Sequence, residues 1–351
     1  MEYGTTNIQN LHYGLIHVGL PTMVDIDKDN LPNIIDGNVP KNYELCKEGD
    51  IVFADASEDT NEVAKAVEYY NLNGKKVVCG LHTIHGRDNK NKTVVGYKGY
   101  AFSSMSFHHQ IRRIAQGTKI YSINSKNFSE CYVGIPSKDE QQKIADLFRL
   151  IDERIATQSK IIEDLKKLKS AISENLFKDV KGNIVMLSEI CEIIKGKQIN
   201  GEFLSESGKY YVMNGGTEPS GYYNDYNVEA NTISISEGGN SCGYIQFNPS
   251  PFWSGGHCYT IQKIADNVDN LYLYHYLKSQ EDAIMKLRIG SGLPNIQKKD
   301  LAMFKIKIPA VEQQRTISTF LSSLERKAET EEMLLNAMKK EKQYLLRQMF
   351  I

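Results

Sequence analysis

Side chains suited to metal binding or catalysis occur in this sequence only in small groups. His82 with His85, His108 with His109, and His257 with Cys258 bring together nitrogen and sulfur donors for transition metals. None of these groups completes a ligand set of usable spacing, so no metal is expected, and surface or packed side chains are the plain reading. Asn248-Pro249-Ser250-Pro251-Phe252 approaches the N-P-P-Y/F motif that holds a flipped adenine for methylation. It lacks the two consecutive prolines, and no S-adenosylmethionine loop precedes it, so a turn before Trp253 is expected. The glycine-rich stretches contain neither G-x-x-x-x-G-K-[ST] nor a strand-following G-x-G-x-x-G, and ATP use by this chain is not expected. The remaining histidines and carboxylates are scattered and define no catalytic set.

Recognition chemistry is better represented. Loops rich in Gly, Asn, Ser and Tyr run from Met213 to Asn224 and from Glu237 to Cys242. Asn214, Thr217, Ser220, Tyr222, Tyr223, Asn240 and Ser241 in them, with Arg288, Ser291 and Asn295 further on, are candidate DNA contacts. In the first part of the chain the corresponding polar set is His82, His85, Arg87, Lys90 and Lys92, then His108, His109, Arg112 and Arg113. Such side chains suit base-edge hydrogen bonds and phosphate contacts, and glycine permits close approach. Polar loops are common to all proteins, so the weight of this reading comes from the elements that carry them.

Those elements are duplicated. Ile135 to Phe177 opens Ile-Pro and continues Asp-Glu-Gln-Gln-Lys-Ile, and Ile308 to Phe350 opens Ile-Pro and continues Val-Glu-Gln-Gln-Arg-Thr-Ile. Ile135 with Ile308, Ile144 with Ile317 and Phe177 with Phe350 share one offset, 173 residues, while the Glu-Gln-Gln triplet slips by one. Within each copy, apolar residues recur at steps of four and three, the period that turns one helical seam toward a partner helix. The first seam is Ile144, Phe148, Ile151, Ile155, Ile162, Leu165, Ile172 and Leu176, interrupted by Gln158 and Lys169. The second is Ile317, Leu321, Leu324, Ala328, Leu335, Met338, Leu345 and Met349, interrupted at the matching places by Glu331 and Lys342. Each run of nearly 40 residues would be about 57 Å long, too long to lie on one domain of this size. An antiparallel intramolecular coiled coil is expected, with the polar interruptions fixing register.

The blocks before the helices are related more weakly: Gly117 aligns with Gly290, Ile123 with Ile296, Lys126 with Lys299, Phe128 with Leu301 and Val133 with Ile306. Each half is therefore expected to end in a turn, a short helix start and an apolar strand. Asp50–Ala54, Lys76–Cys79, Thr232–Ser236, Gly243–Phe247 and Cys258–Ile261 read as strands and Leu271–Leu287 as helical. The fold class is mixed α/β, two such domains separated by a long antiparallel two-helix coiled coil in a pseudo-twofold repeat. The boundaries expected are a globular block over 1–134, a long helix over 135–183, a second block over 184–307 and a second long helix over 308–351.

Composition sets the outer limits. The 351 residues are 41% apolar, enough for two domains with real cores. The formal net charge of −1 gives no global signal for nucleic acid, so any such binding must come from local patches. The six cysteines show no C-x-x-C spacing and read as reduced thiols. With no apolar run of membrane-spanning length and a polar start at Met1-Glu2-Tyr3-Gly4, the expectation is a cytoplasmic protein without a membrane partner.

The doubled motif Ile-Pro-x-x-x-Glu-Gln-Gln-Lys-Ile-Ala at 135–145 and Ile-Pro-x-x-Glu-Gln-Gln-Arg-Thr-Ile at 308–317, each opening a long helix, resembles the specificity (S) subunit of type I restriction-modification enzymes. Leu187 to Lys197 looks like that family's lead into a target-recognition domain, and Gly290-Ser291-Gly292-Leu293-Pro294-Asn295-Ile296 like its exit. The resemblance covers essentially the whole chain. It implies two target-recognition domains that each read one half of a bipartite site in double-stranded DNA, on helices that act as spacer and as docking surface for two methyltransferase (M) subunits. With restriction (R) subunits the complex would be an adenine methyltransferase and ATP-dependent endonuclease. S-adenosylmethionine, ATP and Mg would then belong to partner subunits, and this chain would be non-catalytic with no cofactor. Half-sites one helical turn apart lie about 34 Å from each other, a distance paired helices of this length can span. The first block starts beyond the family's lead-in segment, so it reads as either N-terminally short or divergent. The competing reading is a two-lobed protein-binding scaffold without DNA specificity.

Overall fold

A computed structural model describes residues 4–290, 292 and 294–350. The chain forms two compact units, Met1–Lys160 with Met333–Ile351, and Ile161–Glu332. Two long helices, Lys138–Asp179 and Val311–Met349, each give one stretch to both units. Among the described residues, no helix is long and apolar enough to cross a membrane.

The first unit is built on the strand Ile51–Ala54, buried at every position. Ala66–Asn71 and Thr83–Gly86 pair with it antiparallel, and Met23–Asp25 adds to Ala66–Asn71 in parallel. Alternate side chains serve two cores, as the strand period of two requires. Val52 and Ala54 pack with Leu11, Ile16, Val24 and Tyr69, whereas Ile51 and Phe53 pack with Val63, Phe107 and Ile111. A parallel pair, Ile8–Leu11 with Lys76–Cys79, lies beside them.

The second unit repeats the plan around Thr232–Ser236, buried throughout. Its sheet runs Glu192–Lys195, Cys258–Gln262, Thr232–Ser236, Ile245–Asn248 and is antiparallel at every step. The helical stretch expected over 271–287 breaks at Gln280 into Asn270–Ser279 and Glu281–Met285. The apolar strand expected around Val133 does not form, although its counterpart Lys305–Ile308 around Ile306 does. Lys305–Ile308 pairs with Asn183–Met186, and among the described residues no strand pairs with 131–134. An apolar run without a ladder partner leaves its amides to other acceptors.

Each long helix is anchored by a buried glutamine. Pro136 and Pro309 keep the approach extended. In the first copy Ser137 caps the helix, its Oγ accepting from Glu140 N–H at 3.4 Å and its own N–H donating to Glu140 Oε2 at 3.0 Å, a capping box. One residue later Gln141, fully buried, donates through Nε2 to the carbonyls of Lys92 and Pro136 and accepts from Val94 N–H. Gln314, equally buried, donates to Asn267 and Pro309 and accepts from Asp269 N–H. Gln141 and Gln314 keep the 173-residue offset. The slip of the triplet is therefore confined to its exposed members.

The seams are antiparallel, as expected of a coiled coil. Phe148, Gln158 and Ile162 are buried, with Ile144, Ile151, Ile155, Leu165, Ile172 and Leu176 half-buried. On the second helix Ile317 and Leu321 are buried, with Leu324, Leu335, Met338 and Leu345 half-buried. In the first unit Ile144, Phe148 and Ile151 share a cluster with Leu345, Leu346 and Phe350. In the second, Ile172, Leu176 and Phe177 share one with Ile317 and Leu321. Met349 departs from the expected seam, being 36% exposed. The helix ends there, and Phe350 turns inward instead, against Tyr97 and Phe148. Phe177, its repeat partner, packs on Tyr272 and Tyr276.

The lysine interruptions have matched partners. Lys342 Nζ meets Asp152, which also accepts from Tyr100 OH at 3.0 Å. Lys169 Nζ lies 2.6 Å from Glu325, which accepts from Tyr274 OH at 3.1 Å. A half-buried carboxylate is thus held by a lysine of the facing helix and a tyrosine of the neighbouring lobe in each unit.

Candidate nucleic-acid interface

In the second unit the strand register collects polar loops at one end of the sheet. Lys195 pairs with Tyr259 and Ser236 with Cys258, so the chain after Lys195, the turn after Ser236 and the approach through His257 all emerge there. The segments lock together through backbone bonds, Gly239 N–H to Pro294 O at 3.0 Å and Ile296 N–H to Glu237 O at 2.8 Å. Asn214 joins them by accepting from His257 N–H at 3.2 Å. Gly215, at φ +86°, leaves no room for a side chain, because a Cβ would stand 2.8 Å from His257 O.

Glu237 is the electrostatic centre of this end. It is 9% exposed and receives Lys195 Nζ at 2.6 Å and Tyr259 OH at 3.0 Å, with His257 Nδ1 at 3.8 Å. Burial, then the hydrogen bond to Glu237, pushes the Tyr259 phenol above its ordinary range, so it stays a donor at neutral pH. A carboxylate flanked by ammonium and imidazole can accept from a base amine while its neighbours donate to phosphate.

Of the expected contacts in this unit, Asn214, Asn240, Ser241 and Asn295 belong to these joined segments. Arg288 is exposed just before them, near enough to Cys242 to lower the pull of burial on its thiol. Thr217 and Ser220 are exposed on the 214–221 loop. Tyr222 and Tyr223 are half-buried in a short strand paired with Tyr210 and Tyr211, and Tyr223 stands edge-on to Trp253 at 5.3 Å. Ser291 lies outside the described residues. Lys195 and His257, not among the expected contacts, lie at the same end of the sheet through Glu237. The Lys195-Gly196-Lys197 triplet directly after the apolar pair Ile193-Ile194 was the available signal.

The first unit divides its expected contacts among different tasks. His85 Nε2 stands 2.9 Å from Asp50, and Arg87 donates to the same carboxylate and to Leu45 O, besides pairing with Glu44. Both are internal partners of a buried acid. His82, at φ +55°, rests on Asp55 and edge-on to Tyr13. Arg112 and Arg113 are exposed in the last turn of helix Met105–Ile114, Arg112 reaching Asn61 Oδ1 at 2.9 Å. Lys90, Lys92 and His109 are exposed, whereas His108 is packed and its imidazole is pushed below the ordinary range by burial.

The segment resembling a methyltransferase motif has no such role here. Asn248 is fully buried, its amide donating to Thr232 O and Ser234 Oγ at 2.9 Å. The metal reading changes more. Cys46, Cys79 and His85, distant in sequence, bring their donor atoms within 4.8 Å of one another.

The family model described as type I restriction modification DNA specificity domain matches residues 70–167 and again 180–340. S.MpnORF638P of Mycoplasma pneumoniae, named as a type I specificity subunit, is 35% identical over 145 residues, 41% of this chain and 38% of that protein. The matched stretch thus spans well under half the length of that relative. The specificity subunit named for restriction enzyme MjaX of Methanocaldococcus jannaschii is 26% identical over 313 residues, covering 79% of this chain and 72% of that one. The crystal structure of the S subunit of a type I restriction-modification system from M. genitalium shares the fold, with a TM-score of 0.63 at 20% identity over 98% of this chain and 88% of that one. Two matches of one domain model in a single sequence agree with the repeat that Gln141 and Gln314 mark in the structure, and the chain belongs to the type I restriction modification DNA specificity domain family.

Proposed function

We propose that this chain reads DNA sequence for a type I restriction-modification assembly and performs no chemistry itself. The observation that carries the reading is the duplicated unit: a mixed α/β lobe, a glutamine-anchored helix, and a lysine–carboxylate–tyrosine contact in each copy. Each lobe reads one half of a bipartite double-stranded site, and the paired helices dock two M subunits, to which R subunits add. S-adenosylmethionine, ATP and Mg serve those partners. In the second lobe the bases meet the loops around Glu237, Asn214 and Asn295; in the first, Arg112 and Arg113 contact phosphate. The net charge of −1 supports a division of labour in which the partners supply much of the affinity.

Gel shifts with M subunits present test the proposal. A preference for one bipartite sequence over scrambled DNA of equal length is expected. Equal affinity for all sequences would favour a protein-binding scaffold.

A further inference from the structure

Two strands and a bridged segment of the first unit deliver soft donors to one point. Cys46 follows Leu45, which bridges to Val78, and its N–H donates to Val77 O at 2.8 Å. Cys79 ends the strand Lys76–Cys79, and His85 lies on Thr83–Gly86. The Cys46 and Cys79 sulfurs are 3.6 Å apart. Tetrahedral zinc with Zn–S of about 2.3 Å sets its sulfurs about 3.8 Å apart, close to that spacing. A disulfide needs them at about 2.0 Å, well short of the observed separation.

The surroundings match a metal shell. Asp50, with a side chain only 3% exposed, holds His85 Nε2 at 2.9 Å, and a carboxylate on the second ring nitrogen is the usual support of a coordinating histidine. Arg87 balances that carboxylate from its other side. Tyr69 is fully buried, and among the described residues its hydroxyl makes no hydrogen bond of ordinary geometry, lying against the Cys46 sulfur. A thiolate there would supply the missing acceptor. Outward, the His85 side chain is 18% exposed, and Glu44 Oε2, 4.0 Å from its Nδ1, places a further carboxylate beside the ring.

We propose that Cys46, Cys79 and His85 bind a zinc ion that ties the Cys46 segment to the two strands carrying Cys79 and His85. Two thiolates and an imidazole select zinc over oxygen-loving cations.

The reduced full-length chain, stripped with a chelator, is titrated with Co²⁺ and then with Zn²⁺. Stoichiometric uptake is expected, with a thiolate-to-cobalt charge-transfer band and tetrahedral d–d absorption, both abolished by Zn²⁺. Cys79→Ala and the Cys46→Ala/Cys79→Ala pair should lose the band while keeping the wild-type circular dichroism, and Cys131→Ala should bind as wild type. Asp50→Asn should bind about 10- to 100-fold more weakly. Uptake that persists in the double variant would overturn the assignment. So would a reduced wild-type chain that takes up no more Co²⁺ than that variant, including one whose air-oxidised form shows two thiols fewer than its six cysteines.

Discussion

Arg87 and Arg113 are equivalent in a list of basic residues and opposite in the structure. The Arg87 side chain, 19% exposed, lies 2.6 Å from the Asp50 carboxylate, while Arg113 is exposed at the end of its helix. Arg113→Ala is expected to leave stability unchanged and to reduce the slope of log K against log salt by about 0.9, one phosphate contact. Arg87→Ala should leave the slope alone but take the guanidinium from a buried carboxylate that keeps only His85 and the Lys47 N–H, at a cost of up to ~3–5 kcal/mol. Salt titrations of DNA binding with M subunits, paired with urea unfolding, separate the two; an unchanged slope for Arg113→Ala would remove it from the interface. The sequence offered no way to tell these arginines apart. Asp50 is 37 residues from Arg87 and 35 from His85, and only the pairing of Ile51–Ala54 with Thr83–Gly86 brings them together. The same distance hid Cys46 and Cys79 from any spacing rule, because only the bridge of Leu45 to Val78 brings their segments together.

At the scale of elements the sequence was far more informative, because helical periodicity is local and a duplication repeats it. The seam, its antiparallel pairing and its lysine interruptions were all legible. The carboxylates opposite them lie off the apolar seam and so escape its periodicity, although Asp152 and Glu325 carry the same 173-residue offset as Lys169 and Lys342. Their side chains are 19–29% exposed, between the surface case of ~0–1 kcal/mol and the buried case of ~3–5 kcal/mol. Lys342→Ala should therefore destabilise by ~1–2 kcal/mol, and a double-mutant cycle with Asp152→Asn should return most of that as coupling. His275 adds a pH dependence. It is buried against Ser322 Oγ at 2.8 Å, and burial lowers its imidazole to about 4 from 6.5. A depressed histidine favours folding only while neutral in both states, so its contribution is whole above pH 6.5 and is lost as pH falls toward 4. The loss amounts to roughly 3 kcal/mol. His275→Gln should flatten the stability profile across that window; an identical pH profile for wild type and variant would rule out His275 as its source.

At the scale of the whole molecule, each unit is completed by chain from both long helices, so the end of the second helix belongs to the unit that holds residues 4–160. Phe350 packs on Tyr97 at 5.7 Å and Phe148 at 6.0 Å, and its carbonyl accepts from Ser106 Oγ. Removing residues 341–351 withdraws Phe350, Leu345 and Leu346 from that cluster. Each large apolar truncation costs ~2–5 kcal/mol, and together they rival the ~5–15 kcal/mol that holds a typical domain. The second unit keeps its own seam contacts, Ile172 and Leu176 with Ile317 and Leu321. Hydrogen exchange on the truncated chain should therefore quicken at 97–101 and 141–151 and stay slow at Thr232–Ser236 and Cys258–Gln262. A uniform rise across both sheets would mean that the units fold as one cooperative body, and the independence inferred from their separate cores would be wrong.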